Sequence, residues 1–155
     1  KLMNQGKSLN QVLHEVEMPE NLMKHAWLTP IYDDPQFLIR MIWRRYGGWW
    51  DGEYDRLLPS PRKAEAIAWV ELSGGIENII SKALEQSNQE NYAVAAHLIE
   101  TAFHADHSNE KTHKARSEIY RKFSLKQSSS MGRNILNHAS LASMKGLRDM
   151  AETEN

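Results

Sequence analysis

Three side chains that commonly bind zinc lie within one four-residue segment, His104-Ala105-Asp106-His107. Imidazole and carboxylate groups this close in sequence could converge on one metal ion, and the segment equals the second half of the binuclear zinc signature HxHxDH. The first histidine of that signature is replaced by Ala102, however, which belongs to the apolar stripe of a helix. A histidine near a helix C-terminus interacts favourably with the helix dipole. We therefore expect a structural role for these residues and no metal site in this chain.

Arg40, Arg44 and Arg45 form a small basic cluster, in which Arg40 and Arg44 are one helical turn apart. Guanidinium groups bind sulfate or carboxylate through paired hydrogen bonds, so this cluster is a candidate anion site. A solvated helix face or an interface salt bridge is the more common role of such residues. The sequence contains no GxSxG nucleophile elbow, GxGxxG loop or P-loop. No catalytic residue is assigned to this chain.

Aromatic residues are densest between positions 46 and 54, where Tyr46, Trp49, Trp50 and Tyr54 share a glycine-rich segment. Aromatic side chains that are exposed together usually mark a protein contact or a ligand pocket. The alternative is that the tryptophans fold back into the core of their own domain. Residue types and spacing favour neither alternative over the other.

The composition limits the classes of protein to which the chain can belong. Its 155 residues suit a single domain, and 19 Lys+Arg against 20 Asp+Glu give a net charge of -1. A near-neutral balance argues against a general nucleic-acid binder. The absence of cysteine excludes disulfides, thiolate metal sites and a cysteine nucleophile. No apolar run in the sequence is long enough to cross a membrane.

The elements that position these residues are predicted to be helices. All five prolines lie at or before Pro61, and the proline-free remainder is rich in Ala, Glu, Lys and Leu. Asp34-Pro35 predicts one helix start and Ser60-Pro61 another, because proline is favoured at the first helical position after a cap. Apolar residues spaced i, i+3, i+4 and i+7 predict the later helices, and the acidic end from Glu152 is expected to fray. The predicted fold class is all-α, a bundle of roughly seven or eight helices.

The two helices predicted between residues 76 and 105 are joined by the short connection SNQEN and should form an antiparallel hairpin. Ala83, Ala95 and Ala102 fall where tetratricopeptide hairpins place small residues for close helix approach. The sequence contains one such unit, so an isolated hairpin is expected rather than a solenoid. A tetratricopeptide-like adaptor that binds a peptide is retained as the alternative function.

The run RMIWRRYGGWWDGEYDRLLPSP, the helix end ELSGG and the hairpin ALEQSNQENYAVAAHLIETA resemble the alkylsulfatase dimerisation domain. That domain is the helical middle section of alkylsulfatase-like hydrolases of the metallo-β-lactamase superfamily. The resemblance implies a homodimerisation module, with residues 1–33 as an N-terminal arm of linker helices and residues 34–155 as the dimerisation domain. The first residue is Lys1 rather than methionine, which is consistent with a part of a longer enzyme.

The resemblance also implies a division of labour within that enzyme. In this family a preceding catalytic domain holds two zinc ions that serve sulfate-ester hydrolysis, so the implied cofactors lie outside this chain. The implied partner is a second copy, and neither nucleic acid nor membrane is expected as a partner. The candidate dimer-interface residues are Trp43, Trp49, Trp50 and Tyr54. The candidate residues for the lid of the substrate pocket are Arg40, Tyr46 and Trp49.

Departures from the family pattern concern the substrate. Members carry an H-N-x-R segment ahead of the aromatic turn, and here Arg40 matches the arginine whereas Phe37 and Leu38 replace the histidine and the asparagine. The first aromatic of the turn is Trp49. These changes predict a parent enzyme that handles a substrate other than a linear alkyl sulfate, or binds it through other residues. The lack of cysteine fits the bacterial cytoplasm and periplasm equally, so the compartment is left open.

Overall fold

Helices make up all of the regular secondary structure in the residues that the computed structural model describes, which are 1–146 and 149. The α-helices are α1 (Leu9–Glu15), α2 (Glu20–Met23), α3 (Pro35–Tyr46), α4 (Arg62–Leu72), α5 (Ile76–Asn88), α6 (Tyr92–Ala105), α7 (Glu110–Leu125) and α8 (Ser130–Lys145). Short 3-10 turns lie at Met3–Gln5, Ala26–Leu28 and Tyr54–Arg56. The predicted all-α class and helix number are confirmed. The tetratricopeptide character of the hairpin stays a prediction, and the acidic end from Glu152 lies outside the described residues.

Side-chain caps explain where several helices begin. Ser8 and Gln11 form a capping box at α1, in which each side chain binds the other residue's backbone N–H. The carboxylate of Asp34 accepts a hydrogen bond of 2.8 Å from the backbone N–H of Gln36, with proline at the first position of α3 as predicted. The expectation for α4 is wrong in detail, because Pro61 occupies the cap position and no side chain caps that helix.

Residues 60–127 and the described residues from 132 onward form one compact unit with a core of its own, called the α4–α7 unit below. Helices α4, α5 and α7 pack against α6 or against one another. The predicted small residues Ala83, Ala95 and Ala102 are fully buried there. Their small side chains let the helices approach closely. The rest of this core consists of Ile79, Ile80, Ile99, Ala115 and Ile119. None of the helices in the described ranges is long and apolar enough to span a bilayer.

Residues 1–59 and 128–131 form a second compact unit with little core. Helix α1 packs on α3, and Val12 and Leu13 are the hydrophobic side chains that this unit buries among its described residues. The start of α8 is fastened to residues 31–32 by hydrogen bonds to their carbonyl groups. These bonds run from Ser129 Oγ and Met131 N to Tyr32 O (2.7 and 3.1 Å) and from Ser130 N to Ile31 O (2.6 Å).

Candidate functional site

The aromatic turn that follows α3 is built around two inward-facing tryptophans. Trp43 lies in the last turns of α3, and its indole Nε1 donates a hydrogen bond of 2.9 Å to the carbonyl of Trp50. The indole of Trp50 in turn donates to the carbonyl of Glu53 at 3.0 Å. Both rings are partly buried, and Trp50 also contacts the Tyr54 ring at a centroid distance of 5.7 Å. These bonds fix the path of the turn, because each ties a side chain to backbone several residues away.

The far side of the turn is held against the start of α1. The carbonyl of Asp51 accepts a hydrogen bond of 2.8 Å from the backbone N–H of Leu9, and its carboxylate accepts one of 3.0 Å from the N–H of Glu53. Gly52 adopts φ +90°, and a Cβ at this position would lie 3.1 Å from the Cα and the Cβ of Ser8. Glycine is therefore required here for both backbone conformation and space.

Of the two roles considered for the aromatic residues, contact with a partner and support of their own domain, each is taken by different residues. Trp43 and Trp50 hold the turn together, whereas Tyr46, Trp49 and Tyr54 are 74%, 81% and 84% exposed. Large aromatic rings that are this exposed on a backbone fixed by hydrogen bonds are typical of contact residues rather than of core residues. The turn has an inner pair that supports it and an outer set that is available to a partner.

The three pocket-lid candidates are not gathered into one cluster in this structure. Arg40 and Tyr46 both lie on α3, but a separation of six residues places them about 120° apart around the helix axis. Both are exposed, as is Trp49 in the turn. Phe37, at the position where the family carries histidine, is partly buried.

Exposed apolar side chains are concentrated in the unit formed by residues 1–59, a property that the sequence did not reveal. Of the large hydrophobic residues recorded as exposed among the described residues, fourteen lie in residues 1–59 and seven lie beyond residue 60. Helix α3 is fully described and buries no residue at all. Helix α3 packs on α1, but its covering is so incomplete that none of its residues is fully buried, which is unusual for an amphipathic helix in a monomer.

The residues of the His104–His107 segment have local structural roles. His104 is buried, with Nε2 3.7 Å from a carboxylate oxygen of Glu100. Asp106 accepts hydrogen bonds from the hydroxyl and the backbone N–H of Ser108, and these bonds lower the pKa of the Asp106 carboxyl. The ring of His107 stacks on Phe103 at 4.5 Å. Within residues 1–146 and 149, no three His, Asp or Glu side chains are placed to hold one metal ion.

The α4–α7 unit also contains a buried charged network that was not predicted from the sequence. Arg116 on α7 is 2% exposed; its Nε lies 2.6 Å from Glu100 Oε1 and its Nη1 lies 2.7 Å from Asp149 Oδ2. Burial by itself lowers the pKa of the Arg116 guanidinium, but the charges and hydrogen bonds of the two carboxylates outweigh it and raise that pKa. Burial raises the pKa of the Tyr120 phenol, and the charge and hydrogen bond of Glu100 raise it further. Its dense pairing indicates a structural rather than a catalytic role.

Comparison with known proteins places this geometry in context. A family model described as alkyl sulfatase dimerisation matches residues 8–146. The alkyl/aryl-sulfatase BDS1 of Saccharomyces cerevisiae is 25% identical over 116 residues, which are 75% of this chain and 18% of that protein. A linear primary-alkylsulfatase of Pseudomonas sp. is 24% identical over 121 residues, which are 77% of this chain and 23% of that protein. An (R)-specific secondary-alkylsulfatase of Pseudomonas sp. is 24% identical over 135 residues, which are 86% of this chain and 20% of that protein.

The same fold occurs in solved structures. The stereoselective inverting sec-alkylsulfatase Pisa1 from Pseudomonas sp. superposes with a TM-score of 0.87 at 21% identity, over 95% of this chain and 23% of that chain. A double mutant of that sec-alkylsulfatase superposes with a TM-score of 0.86 over 96% of this chain and 24% of its own. The present chain thus spans 18 to 23% of the length of the curated relatives that it matches.

Proposed function

Because the chain belongs to the alkyl sulfatase dimerisation family, we propose that it is the module through which an alkylsulfatase-like hydrolase pairs with a second copy of itself. The observation that carries this proposal is the uneven burial of apolar side chains. The α4–α7 unit has a closed core, whereas residues 1–59 leave fourteen large hydrophobic side chains exposed. A covering partner would remove this surface from water at a gain of about 25 cal/mol per Å².

The outer aromatic residues are the proposed contacts of this dimer. Trp49 and Tyr54 project from the turn and would be covered by the second copy, while Trp43 and Trp50 act from beneath by holding the turn in shape. A rigid aromatic anchor contributes more to association than a mobile one, because less conformational freedom is lost on binding. An obligate interface of this kind buries on the order of 2,000 Å² or more. We assign residues 34–155 to this dimerisation domain and residues 1–33 to an arm that connects it to the preceding domain.

In the parent enzyme, Arg40, Tyr46 and Trp49 are the residues that we propose for the lid of the substrate pocket. Their exposure supports this role, since a lid residue has to meet groups outside its own domain. Within residues 1–146 and 149, no three His, Asp or Glu side chains are grouped to hold a metal ion. We propose that the two zinc ions implied for such a hydrolase are held by a catalytic domain outside this chain.

The oligomeric state tests the central proposal. Sedimentation velocity from about 1 to 100 μM should show a particle of twice the 17.9 kDa chain mass. Trp49→Ala should weaken the dimer about 30-fold, as expected for the loss of a hot-spot tryptophan worth about 2 kcal/mol. Trp69→Ala is the matched control, because Trp69 is a half-exposed tryptophan of α4 in the other unit. A monodisperse monomer at tens of micromolar would overturn the proposal.

The lid assignment requires the full-length parent enzyme. Arg40→Ala should raise KM for the sulfate ester that the parent enzyme hydrolyses, by removing a guanidinium that pairs with the sulfate group. Arg44→Ala is the control, since it removes the same charge one helical turn away. Unchanged kcat and KM in Arg40→Ala, with the dimer intact, would remove Arg40 from the pocket without affecting the dimerisation role.

A further inference from the structure

Helix α3 and its cap residue carry a stripe of four residues that reads acid, apolar, apolar, base along the chain. At about 100° per residue, the helical positions 38, 41 and 45 fall within about 60° of arc around the helix axis, and position 34 lies at the cap where this stripe begins. The residues are Asp34, Leu38, Met41 and Arg45. Leu38 and Met41 are 49% and 67% exposed. Trp43, which ties α3 to the aromatic turn, lies on the opposite side of the helix, so the stripe faces away from that contact.

This stripe is complementary to itself when it is reversed. In an antiparallel pair centred between positions 39 and 40, position 34 lies opposite position 45 and position 38 lies opposite position 41. Asp34 then faces Arg45 of the second copy, and Leu38 faces Met41 of the second copy. The antiparallel arrangement also sets the positive N-terminal end of each helix beside the negative C-terminal end of the other.

We propose that two copies of α3 pack antiparallel along this stripe, across the two-fold axis of the dimer. This inference rests on the self-association proposed above and assigns its central helix contact. Asp34 caps α3 with Oδ1 alone, so Oδ2 can accept a hydrogen bond from the guanidinium of Arg45 in the second copy. Each such pair occurs twice, because a two-fold interface repeats every contact.

The charges along α3 favour a second copy over any other occupant of the stripe. In the described part of the chain, none of the three arginines of α3 forms an ion pair. An apolar ligand would leave Arg45 and Asp34 unmatched, whereas a reversed copy supplies the opposite charge at each end. Ile42, which is 53% exposed, lies beside the stripe and would widen the contact.

Charge reversal tests this pairing. Arg45→Glu places two carboxylates opposite each other, and Asp34→Lys places two cations opposite each other, so each variant alone should dimerise at least about tenfold more weakly than the native chain. An equimolar mixture of the two variants restores both attractive pairs, and it should form a heterodimer that is tighter than either homodimer. Loss of the Asp34 cap cannot produce this rescue, because a weakened helix stays weak in the mixture. Arg44→Glu, the same change about 100° around the axis, should alter the dimer constant by less than about threefold.

A cysteine pair gives a second readout that does not depend on charge, and the native chain has no cysteine to interfere. Mild oxidation of a mixture of Leu38→Cys and Met41→Cys should yield a disulfide-linked heterodimer, whereas Arg44→Cys mixed with either should not cross-link. Circular dichroism establishes that each variant keeps its helix content. A native dimer with neither mixed-variant rescue nor cross-linking would overturn the α3 seam while self-association stands. A native monomer would overturn both.

Discussion

Replacement of the buried Arg116 by methionine should destabilise the α4–α7 unit strongly. Methionine keeps much of the aliphatic volume of arginine but removes the charge, so the carboxylates of Glu100 and Asp149 lose the cation that lies 2.6 and 2.7 Å from them. The guanidinium also lies over the Phe103 ring at 4.2 Å, and that contact is lost as well.

The magnitude follows from how deeply the three groups are buried. The side chains of Arg116 and Asp149 are 3% and 8% exposed, so water cannot replace the lost guanidinium beside Asp149, whereas Glu100 at 20% is partly hydrated. Removal of one member of such a buried pair costs about 3–5 kcal/mol. For a chain of this size, each kcal/mol lowers Tm by roughly 2–4 °C. Arg116→Met should therefore lower Tm by roughly 6–20 °C.

Urea and thermal unfolding followed by circular dichroism measure this loss. Arg121→Met, an exposed arginine on the same helix, is the matched control and should change the unfolding free energy by less than about 0.5 kcal/mol. Glu100→Gln in the Arg116→Met background should recover part of the loss, because it neutralises one of the two carboxylates that have lost the guanidinium. A loss below about 1 kcal/mol for Arg116→Met would refute the reasoning, since it would mean that the network contributes no more than a surface ion pair.

Three further predictions concern pH, the turn and its tryptophans. Burial raises the pKa of the Tyr120 phenol, so the folded chain keeps this proton above about pH 10 where the unfolded chain loses it. The free energy of unfolding should therefore fall more steeply between pH 9 and pH 11 in the native chain than in Tyr120→Phe. Gly52→Ala should lower the free energy of unfolding in urea by at least about 1 kcal/mol more than Gly48→Ala does. Both glycines have φ near +90°, but an added Cβ meets neighbouring atoms at position 52 and open space at position 48. Trp43→Phe removes the indole donor beneath the turn and should cost about 1 kcal/mol, whereas Trp49→Phe should leave the monomer's stability unchanged; equal losses would contradict the division into inner and outer rings.

The helices were predictable because their signals are local. The apolar stripes of α5 and α6 repeat at helical spacing, and the Asp34-Pro35 start of α3 is a short-range cap that needs no tertiary contact. Ser60 failed as a cap since the helix begins one residue later than its sequence signal suggests. Boundaries of this kind depend on how the preceding segment enters the helix, which spacing alone does not determine.

The direction of the turn tryptophans could not be predicted. Consecutive residues in a glycine-rich turn have no periodicity that assigns Trp49 to solvent and Trp50 to the interior. The hydrogen bonds that decide their directions are accepted by the backbone carbonyls of Trp50 and Glu53, whose positions exist only in the folded turn. Arg116 left a signal that could have been found: it occupies a core position of α7 between Thr112 and Ile119, both fully buried. A charged residue at such a position predicts a buried partner, but only the fold identifies Glu100 as that partner.

The hydrogen bonds between the start of α8 and residues 31–32 can form only late in the synthesis of the chain. Ser129 and Tyr32 are 97 residues apart in sequence, and closing a loop of that length in an unfolded chain costs on the order of 4 kcal/mol, from (3/2)RT ln n. During synthesis, the donors that bind the carbonyls of residues 31 and 32 leave the ribosome almost a hundred residues after those carbonyls. Until then these two carbonyl groups are hydrated and residues 31–32 lack the contacts that fasten them, in a segment whose apolar side chains are already exposed. We expect this segment of the nascent chain to be the one most open to aggregation and chaperone binding during synthesis.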